Sequence, residues 1–486
     1  MGEMLYSAEQ AAADLAAAGL LDGIVVPGPA GPMYQSSNNL TSQPAGGFAG
    51  AGLDSRTLVA GQLFVAFKGD HADARDFIPP VIRDGHWVLA DHSDREPGLD
   101  LPVTGEMPEG SGILLARDPA AALACLAAVW RSRFDLRVAG VTGTNGKTTT
   151  KDLLATMLHA AGPTWSTAGN FNNRLGLPLT LLGLTGEHRF AVIEMGASAV
   201  GDIARLAPLA NPQTGIITNA APAHLAEFGS LEEIIQGKGE LLDALPESGS
   251  AILNADSPGF FTWRDRACCE VVSFGRSEAD HVWIWIQAGK DGQPEIELDG
   301  RTWPVPLPGE HNGANLAAAL LAARSFGLSD DLILAGLEKF AGSPHRGILL
   351  EIGGRTVLDD CYNANPVSME AAGRALGRLP GTGRAVALLG AMAELGPDSE
   401  LIHEQTGREL AAGPVDILIA VGKNARPLSV GFDAGGGVGH YCTDLEEAAR
   451  VASLHTRAGD RLLIKGSRSA AMEDILPLLV EAFRKN

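Results

Sequence analysis

The residues best suited to chemistry stand at positions 141–149, Val-Thr-Gly-Thr-Asn-Gly-Lys-Thr-Thr, where an apolar strand pattern gives way to a helical one. Backbone N–H groups of a glycine-rich turn, backed by the positive end of a helix, can surround phosphate oxygens. A lysine adds a point charge, and a hydroxyl can join a magnesium ion. Gly143, Thr144, Asn145, Gly146, Lys147, Thr148 and Thr149 therefore read as a phosphate cradle, with Lys147 as its cation and Thr148 on the metal side. The full pattern for such a loop has glycine where Val141 stands, so this is a shorter variant.

A phosphate loop says only nucleotide, and a second anchor must select the chemistry. Glu194 closes the apolar run 190–194, and open α/β sheets bind ligands at the carboxyl ends of their strands. A carboxylate there can hold magnesium directly. His224, just beyond the next strand, can ligate a metal or orient a metal-bound water through its neutral imidazole. Lys238 lies in the helical stretch Gln-Gly-Lys-Gly-Glu at 236–240 and, taken alone, reads as a solvated lysine.

The elements that position these residues follow from hydrophobic patterning. From 136 to about 275 the chain alternates as a doubly wound sheet does, with strands at 137–141, 190–194, 214–218 and 251–254 and a helix at 147–160. The strands are continuous apolar runs, as parallel strands buried on both faces must be. The alternating run 281–286 and two short runs after it predict an antiparallel extension, and 312–326 is helical. A further unit begins near Arg346, with buried strands at 385–389, 416–421 and 461–464 between helices at 401–412 and 445–455, a Rossmann-like order. Before the central region, runs at 62–67 and 86–90 predict a small α/β domain, with a loop over 91–112 near its end. Asp118-Pro119 then supplies an N-cap and first-turn proline for a helix carrying Leu123, Leu126 and Trp130 on one face. The expected fold is α/β with three domains: a small N-terminal domain (1–115), a central P-loop domain with a mostly parallel sheet (116–343) and a C-terminal Rossmann-like domain (344–486).

With 37 basic against 58 acidic residues, the net charge of −21 repels nucleic acid and anionic membrane, so a phosphate ligand needs a local device. Five cysteines with no CxxC pair argue against a disulfide framework and a structural zinc site, and for a reducing, cytoplasmic compartment. Residues 1–21 read as an amphipathic helix without the basic region of a secretory signal, and no apolar run is long enough to span a bilayer.

Several motifs occur in the order of a known family. The loop GTNGKTT is followed by Gly169-Asn170-Phe171-Asn172-Asn173 with Gly176-Leu177-Pro178, then Glu194-Met195-Gly196, Asn219 to His224, Lys238-Gly239-Glu240 and His311-Asn312-Gly313-Ala314-Asn315. In these the chain resembles the Mur ligases, ATP-dependent amide-forming enzymes of peptidoglycan precursor synthesis. The run Asp359-Asp360-Cys361-Tyr362-Asn363-Ala364-Asn365-Pro366, the segment Glu394-Leu395-Gly396 and the run from Lys465 to Glu473 resemble the member that joins D-alanyl-D-alanine to UDP-N-acetylmuramoyl-tripeptide (UDP-MurNAc-tripeptide). Asp54-Ser55-Arg56 and Lys68-Gly69 are similar to that family's uridine-nucleotide domain. Two positions depart: Ala391 stands where an acidic residue is usual, and Pro344-His345-Arg346-Gly347 is closer to the sister ligases.

The resemblance implies ATP and Mg2+ as cofactors, with Thr148, Glu194 and His224 on metal and Lys238 carrying CO2 as a carbamate ligand. It implies Asn312 and Asn315 near adenine, Asp360 and Tyr362 near ribose and adenine, and Arg346 reaching the γ-phosphate. Lys147, Lys238, His224 and Arg346 are then the catalytic set. Ser55, Arg56, Lys68, Asn170, Asn172 and Asn173 are expected on the UDP-substrate side, and Lys465 and Arg468 on the dipeptide carboxylate. The implied enzyme is a cytoplasmic monomer that binds no nucleic acid and inserts in no membrane. A sister ligase adding one amino acid, a folylpolyglutamate synthase and a P-loop switch are the alternatives.

Overall fold

Aliphatic runs in this chain become strands and alanine- or leucine-rich amphipathic stretches become helices, giving a mixed α/β architecture with mostly parallel sheets. The computed structural model describes residues 6–28, 31–37, 40, 44–68, 73–91, 106–222, 225–287, 293–381 and 383–484. The chain divides into two units, Met1–Gly140 with Gly162–Gly196 and Asp202–Gln213, and Val141–Ala161 with Ala197–Gly201 and Thr214–Asn486. Among the described residues no helix is long and apolar enough to cross a membrane.

The first unit holds a six-stranded sheet in the order Gly31–Ser36, Gly23–Gly28, Gly112–Leu115, Trp87–Ala90, Leu63–Ala66, Ala51–Gly52. Its last four strands run parallel, and the hairpin 23–36 closes the other edge antiparallel. Phe64, Ile78, Ile82, Val88 and Ile113 pack one face. The start of the chain is not a single helix: Tyr6–Ser7 pairs with Gly47–Phe48, and only then does the helix Ala8–Ala17 begin, capped by the Ser7 hydroxyl. Asp118 caps the helix Pro119–Ser132 by accepting from the Ala120 and Ala121 N–H groups, both at 3.0 Å. That helix buries Leu123, Leu126 and Trp130, and the Trp130 ring stacks on Tyr6 at 5.0 Å. Most of the loop expected over 91–112 lies outside the described residues.

In the second unit Thr214–Ile217, Ser250–Asn254 and Glu270–Gly275 run parallel, His281–Ile286 joins them in parallel, and Glu295–Leu298 and Arg301–Pro304 continue from it as the expected antiparallel meander. A separate six-stranded sheet follows in the order Ile348–Ile352, Arg355–Asp359, Arg461–Lys465, Ala385–Gly390, Ile417–Val421, Val438–Cys442. Alternate residues of its strands face opposite cores: Ala385, Ala387 and Leu389 join one cluster, Val386 and Leu388 the other. The last strand in sequence lies between the second and third, so the carboxyl ends Asp359, Gly390 and Lys465 lie side by side, at the edge where such sheets bind ligands.

The helices Ser399–Ala411 and Arg426–Ala434 meet backbone to backbone. A Cβ at Gly407 would lie 2.2 Å from the Leu428 carbonyl oxygen, and one at Gly431 1.8 Å from that of Glu404. Gly431→Ala should therefore destabilise by about 1–3 kcal/mol, the cost of overpacking. A thermal melt checks this against Gly186→Ala, whose Cβ meets open space and should leave the melt unchanged.

Candidate active site

The strand Arg137–Thr142 ends in a turn that only glycine can make: Gly143 has φ +145° and Gly146 has φ +82°. Gly146 is the N-cap of the helix Lys147–His159 and brings no side-chain cap to its first N–H groups. The turn is held open from behind. The Thr144 N–H donates to the Asn219 carbonyl at 2.9 Å, and the Asn145 N–H to the Asn219 side-chain oxygen at 3.0 Å. The Thr218 hydroxyl and the Asn219 amide both donate to the Asn145 carbonyl, at 2.6 and 3.1 Å. The Ala221 N–H donates to the Thr144 hydroxyl at 3.0 Å. This second loop is itself tied to a third, through Asn254 to the Thr218 carbonyl at 2.8 Å and Ser257 to the Ala220 N–H at 3.0 Å.

Lys147 curls back over the turn and donates to the carbonyls of Gly143 and Thr144, at 2.8 and 3.0 Å. Thr148 is buried and Thr149 half-buried. Asn312 and Asn315 sit in the first turns of the helix Glu310–Ser325, buried and joined by a 3.0 Å amide–amide bond, while Asn312 also donates to the Pro308 carbonyl at 2.8 Å. A Cβ at Gly146 would come within 2.1 Å of the Asn315 side-chain oxygen, so this helix packs directly on the turn. Beside its start lies a pocket of about 330 Å³ lined by Arg276, Trp283, His311, Arg374 and Arg378, with Glu310 ion-paired to Arg276 and Arg378.

In the first unit, Glu194 ends its strand fully buried. Its N–H donates to the Thr167 hydroxyl at 2.9 Å and its carboxylate accepts from the Asn172 amide at 2.7 Å. The Asn173 side chain accepts from the Leu175 and Gly176 N–H groups in the turn before the helix Gly176–Leu182, and Asn170 is exposed in the same loop. In the second unit, Lys238 departs from the solvated reading: it is 3% exposed, with its ammonium 5.3 Å from the Phe228 ring centroid. Its neighbours permit this, since a Cβ at Gly237 would press on Phe228 and one at Gly239 on Trp263 and Arg266. His224 lies outside the described residues.

Beside the carboxyl ends of the last sheet's strands, the Arg346 guanidinium stacks on the Tyr362 ring at 3.7 Å. Asp360 accepts from the buried Lys465 at 2.6 Å, and Lys465 also donates to the Asn363 carbonyl at 3.0 Å. Arg468 is ion-paired with Glu473 at the surface. In the first sheet Ser55 and Arg56 follow the strand Ala51–Gly52, and Lys68 follows the parallel strand Leu63–Ala66, so all three lie at one carboxyl edge. Arg56 is exposed and bonds Asp54, a hydrogen bond that holds this carboxyl down at about 2.

Two residues given no role in the sequence reading belong to this geometry. Asn219 braces the turn. Asn365 caps the helix Pro366–Arg378 while its amide donates to the Asn145 side chain at 2.7 Å. The dipeptide Asn365-Pro366 was a visible helix start, but its reach to Asn145 crosses 220 positions.

Residues 141–323 match the Mur ligase middle domain, and residues 345–468 match the Mur ligase glutamate ligase domain. The chain belongs to the Mur ligase family. The UDP-N-acetylmuramoyl-tripeptide–D-alanyl-D-alanine ligase of Escherichia coli K12 is 37% identical over 440 residues, 88% of this chain and 93% of that protein. A crystal structure of MurF from Acinetobacter baumannii matches with a TM-score of 0.77 at 31% identity, over 88% of this chain and 92% of that one. The MurF ligase of Thermotoga maritima, crystallised with ADP, matches with a TM-score of 0.76 at 29% identity, over 89% and 97%. In this Mur ligase the space above Gly146 is closed to any side chain. Gly146→Ala should weaken ADP binding by about tenfold or more, since both its φ and the Asn315 contact forbid a Cβ. Isothermal titration checks this, and unchanged affinity would contradict it.

Proposed function

We propose that this chain joins D-alanyl-D-alanine to UDP-MurNAc-tripeptide with ATP, giving the UDP-MurNAc-pentapeptide. The observation that carries the reading is that the relative bearing that name aligns over 88% of the chain, whereas the phosphate loop alone would serve any nucleotide enzyme. The three domains assigned to it are 1–115 for the uridine nucleotide, 116–343 for ATP and 344–486 for the incoming dipeptide.

An amide does not form from a carboxylate and an amine at neutral pH without activation. In the proposed reaction the terminal carboxylate oxygen of the tripeptide bonds to the γ-phosphorus, the β–γ bond breaks and ADP leaves. The dipeptide amine nitrogen then attacks the acyl carbon, phosphate leaves, and the amine gives up a proton. Both steps load negative charge on phosphoryl oxygens, so fixed donors and cations around them are the main catalytic contribution. The loop 143–149 is assigned to the β- and γ-phosphates through its amides other than those of Thr144 and Asn145, which Asn219 takes up. Lys147 is assigned to the same phosphates, and Arg346 to the γ-phosphate. Asn312, Asn315, Asp360 and Tyr362 are assigned to the adenosine, with the pocket beside Trp283 as space for the base. Ser55, Arg56, Lys68, Asn170, Asn172 and Asn173 are assigned to the UDP-substrate. Lys465 and Arg468 are assigned to the dipeptide carboxylate, for which Lys465 must exchange its bond to Asp360.

Thr148 and Glu194 offer the hard oxygen donors that magnesium prefers, and His224 is assigned as a further ligand. When bound, the metal neutralises phosphoryl charge. Lys238 is assigned as a carbamate, formed when its neutral amine adds CO2 and loses a proton. That Lys238 is buried rather than solvated supports a role for it inside the protein. We assign the enzyme to the cytoplasm as a monomer; its five free thiols suit a reducing compartment.

Purified protein should release phosphate and form pentapeptide only when ATP, UDP-MurNAc-tripeptide and D-alanyl-D-alanine are all present; ATP hydrolysis indifferent to both acceptors would refute the proposal. Arg346→Ala should lower kcat by about a hundredfold or more with little change in the KM for ATP, as loss of a transition-state contact does. Equal changes in both would contradict its role.

A further inference from the structure

The cluster His345, Asp359 and Cys361 has no part in the reaction described above. The Asp359 carboxylate is buried and has two hydrogen-bond partners. Its Oδ1 accepts from the Cys361 thiol at 2.9 Å, and its Oδ2 accepts from His345 Nδ1 at 2.9 Å. Burial and the neighbouring carboxylate push the Cys361 thiol upward, so it stays protonated and serves as a donor. The three side chains are of metal-ligating types and lie within 4.8 Å of one another, but these contacts are hydrogen-bond separations that account for each group without an ion.

His345 is in the left-handed region, at φ +61°, which non-glycine residues seldom adopt unless their surroundings hold them there, histidine being among the more tolerant. Two contacts do so. Its side chain is anchored on Asp359, and its carbonyl accepts from the Tyr362 N–H at 3.1 Å. One residue upstream of Pro344, the Ser343 hydroxyl bonds Asp152 in the helix that Lys147 begins. The next residue after His345 is Arg346, stacked on the ring of Tyr362. The segment is thus gripped on both sides of the bend that aims the arginine.

We infer that His345 is a positioning residue: its bond to Asp359 holds the bend that sets Arg346 over Tyr362. The consequence for turnover rests on the proposed role of Arg346 at the γ-phosphate. This is a property of His345 specifically, because glycine would make the bend without anchoring it.

The test uses the full-length protein with 15N- and 13C-labelled arginine, the Arg346 signals being assigned by their loss in Arg346→Lys. In the native chain the Arg346 δ-methylene and Nε–H resonances should carry the upfield ring-current shift of a group stacked on Tyr362. His345→Gly permits the backbone angle and lacks the donor, so the shift should collapse. His345→Asn tolerates the left-handed region and keeps an N–H donor, so it should restore the shift. Asp359→Asn should weaken the shift in the native background and add nothing to His345→Gly. Kinetics run alongside: His345→Gly should lower kcat about tenfold with the KM for ATP within about twofold, and His345→Asn should recover most of it. A ring-current shift unmoved in His345→Gly, or lost equally in His345→Asn, would overturn the inference. If instead the shift behaves as expected while Arg346→Ala turns over normally, the positioning stands and the γ-phosphate assignment fails.

Discussion

A turn that offers its backbone N–H groups to a ligand cannot satisfy them itself, and it keeps its shape only if something else holds it. In this chain the brace is the loop 218–221, which bonds Thr144 and Asn145 from behind and is in turn tied to Asn254 and Ser257. The carboxyl ends of consecutive parallel strands present these loops side by side, so the sheet is what makes the brace possible. The helix carrying Asn312 and Asn315 closes the other side, against Gly146.

The cations of the second unit follow the same logic. Lys147 is held by two carbonyls, Arg346 by an aromatic face and Lys465 by Asp360 and a carbonyl. Each has its charged group held by protein partners. In a chain of net charge −21 the long-range field opposes an anion, so what attracts one must be short-range and fixed in advance.

Much of this was legible in the amino-acid order. Parallel strands buried on both faces leave unbroken apolar runs, so 190–194, 385–389 and 461–464 are readable, and glycines at 143 and 146 mark the turn. The antiparallel hairpin Ile348–Ile352 and Arg355–Asp359 was less visible, because its outer strand is half exposed and carries no strong pattern. Lys238 could not be read as buried, since its cover comes from Phe228 and from two flanking glycines whose purpose is visible only in three dimensions. Asn219 and Asn365 were hidden for a related reason: an amide that bonds across 74 or 220 positions leaves no periodicity behind. His224 lies outside the described residues, and its position carries no weight here.

One asparagine serves two masters. Asn365 starts a thirteen-residue helix with a capping box and, with the same amide group, grasps the Asn145 side chain. Because linkage is reciprocal, an occupant that turns the Asn145 side chain must perturb the start of that helix, and strain applied to the helix must change the affinity of the turn by the same factor. The turn and the start of that helix are therefore coupled through a single side chain.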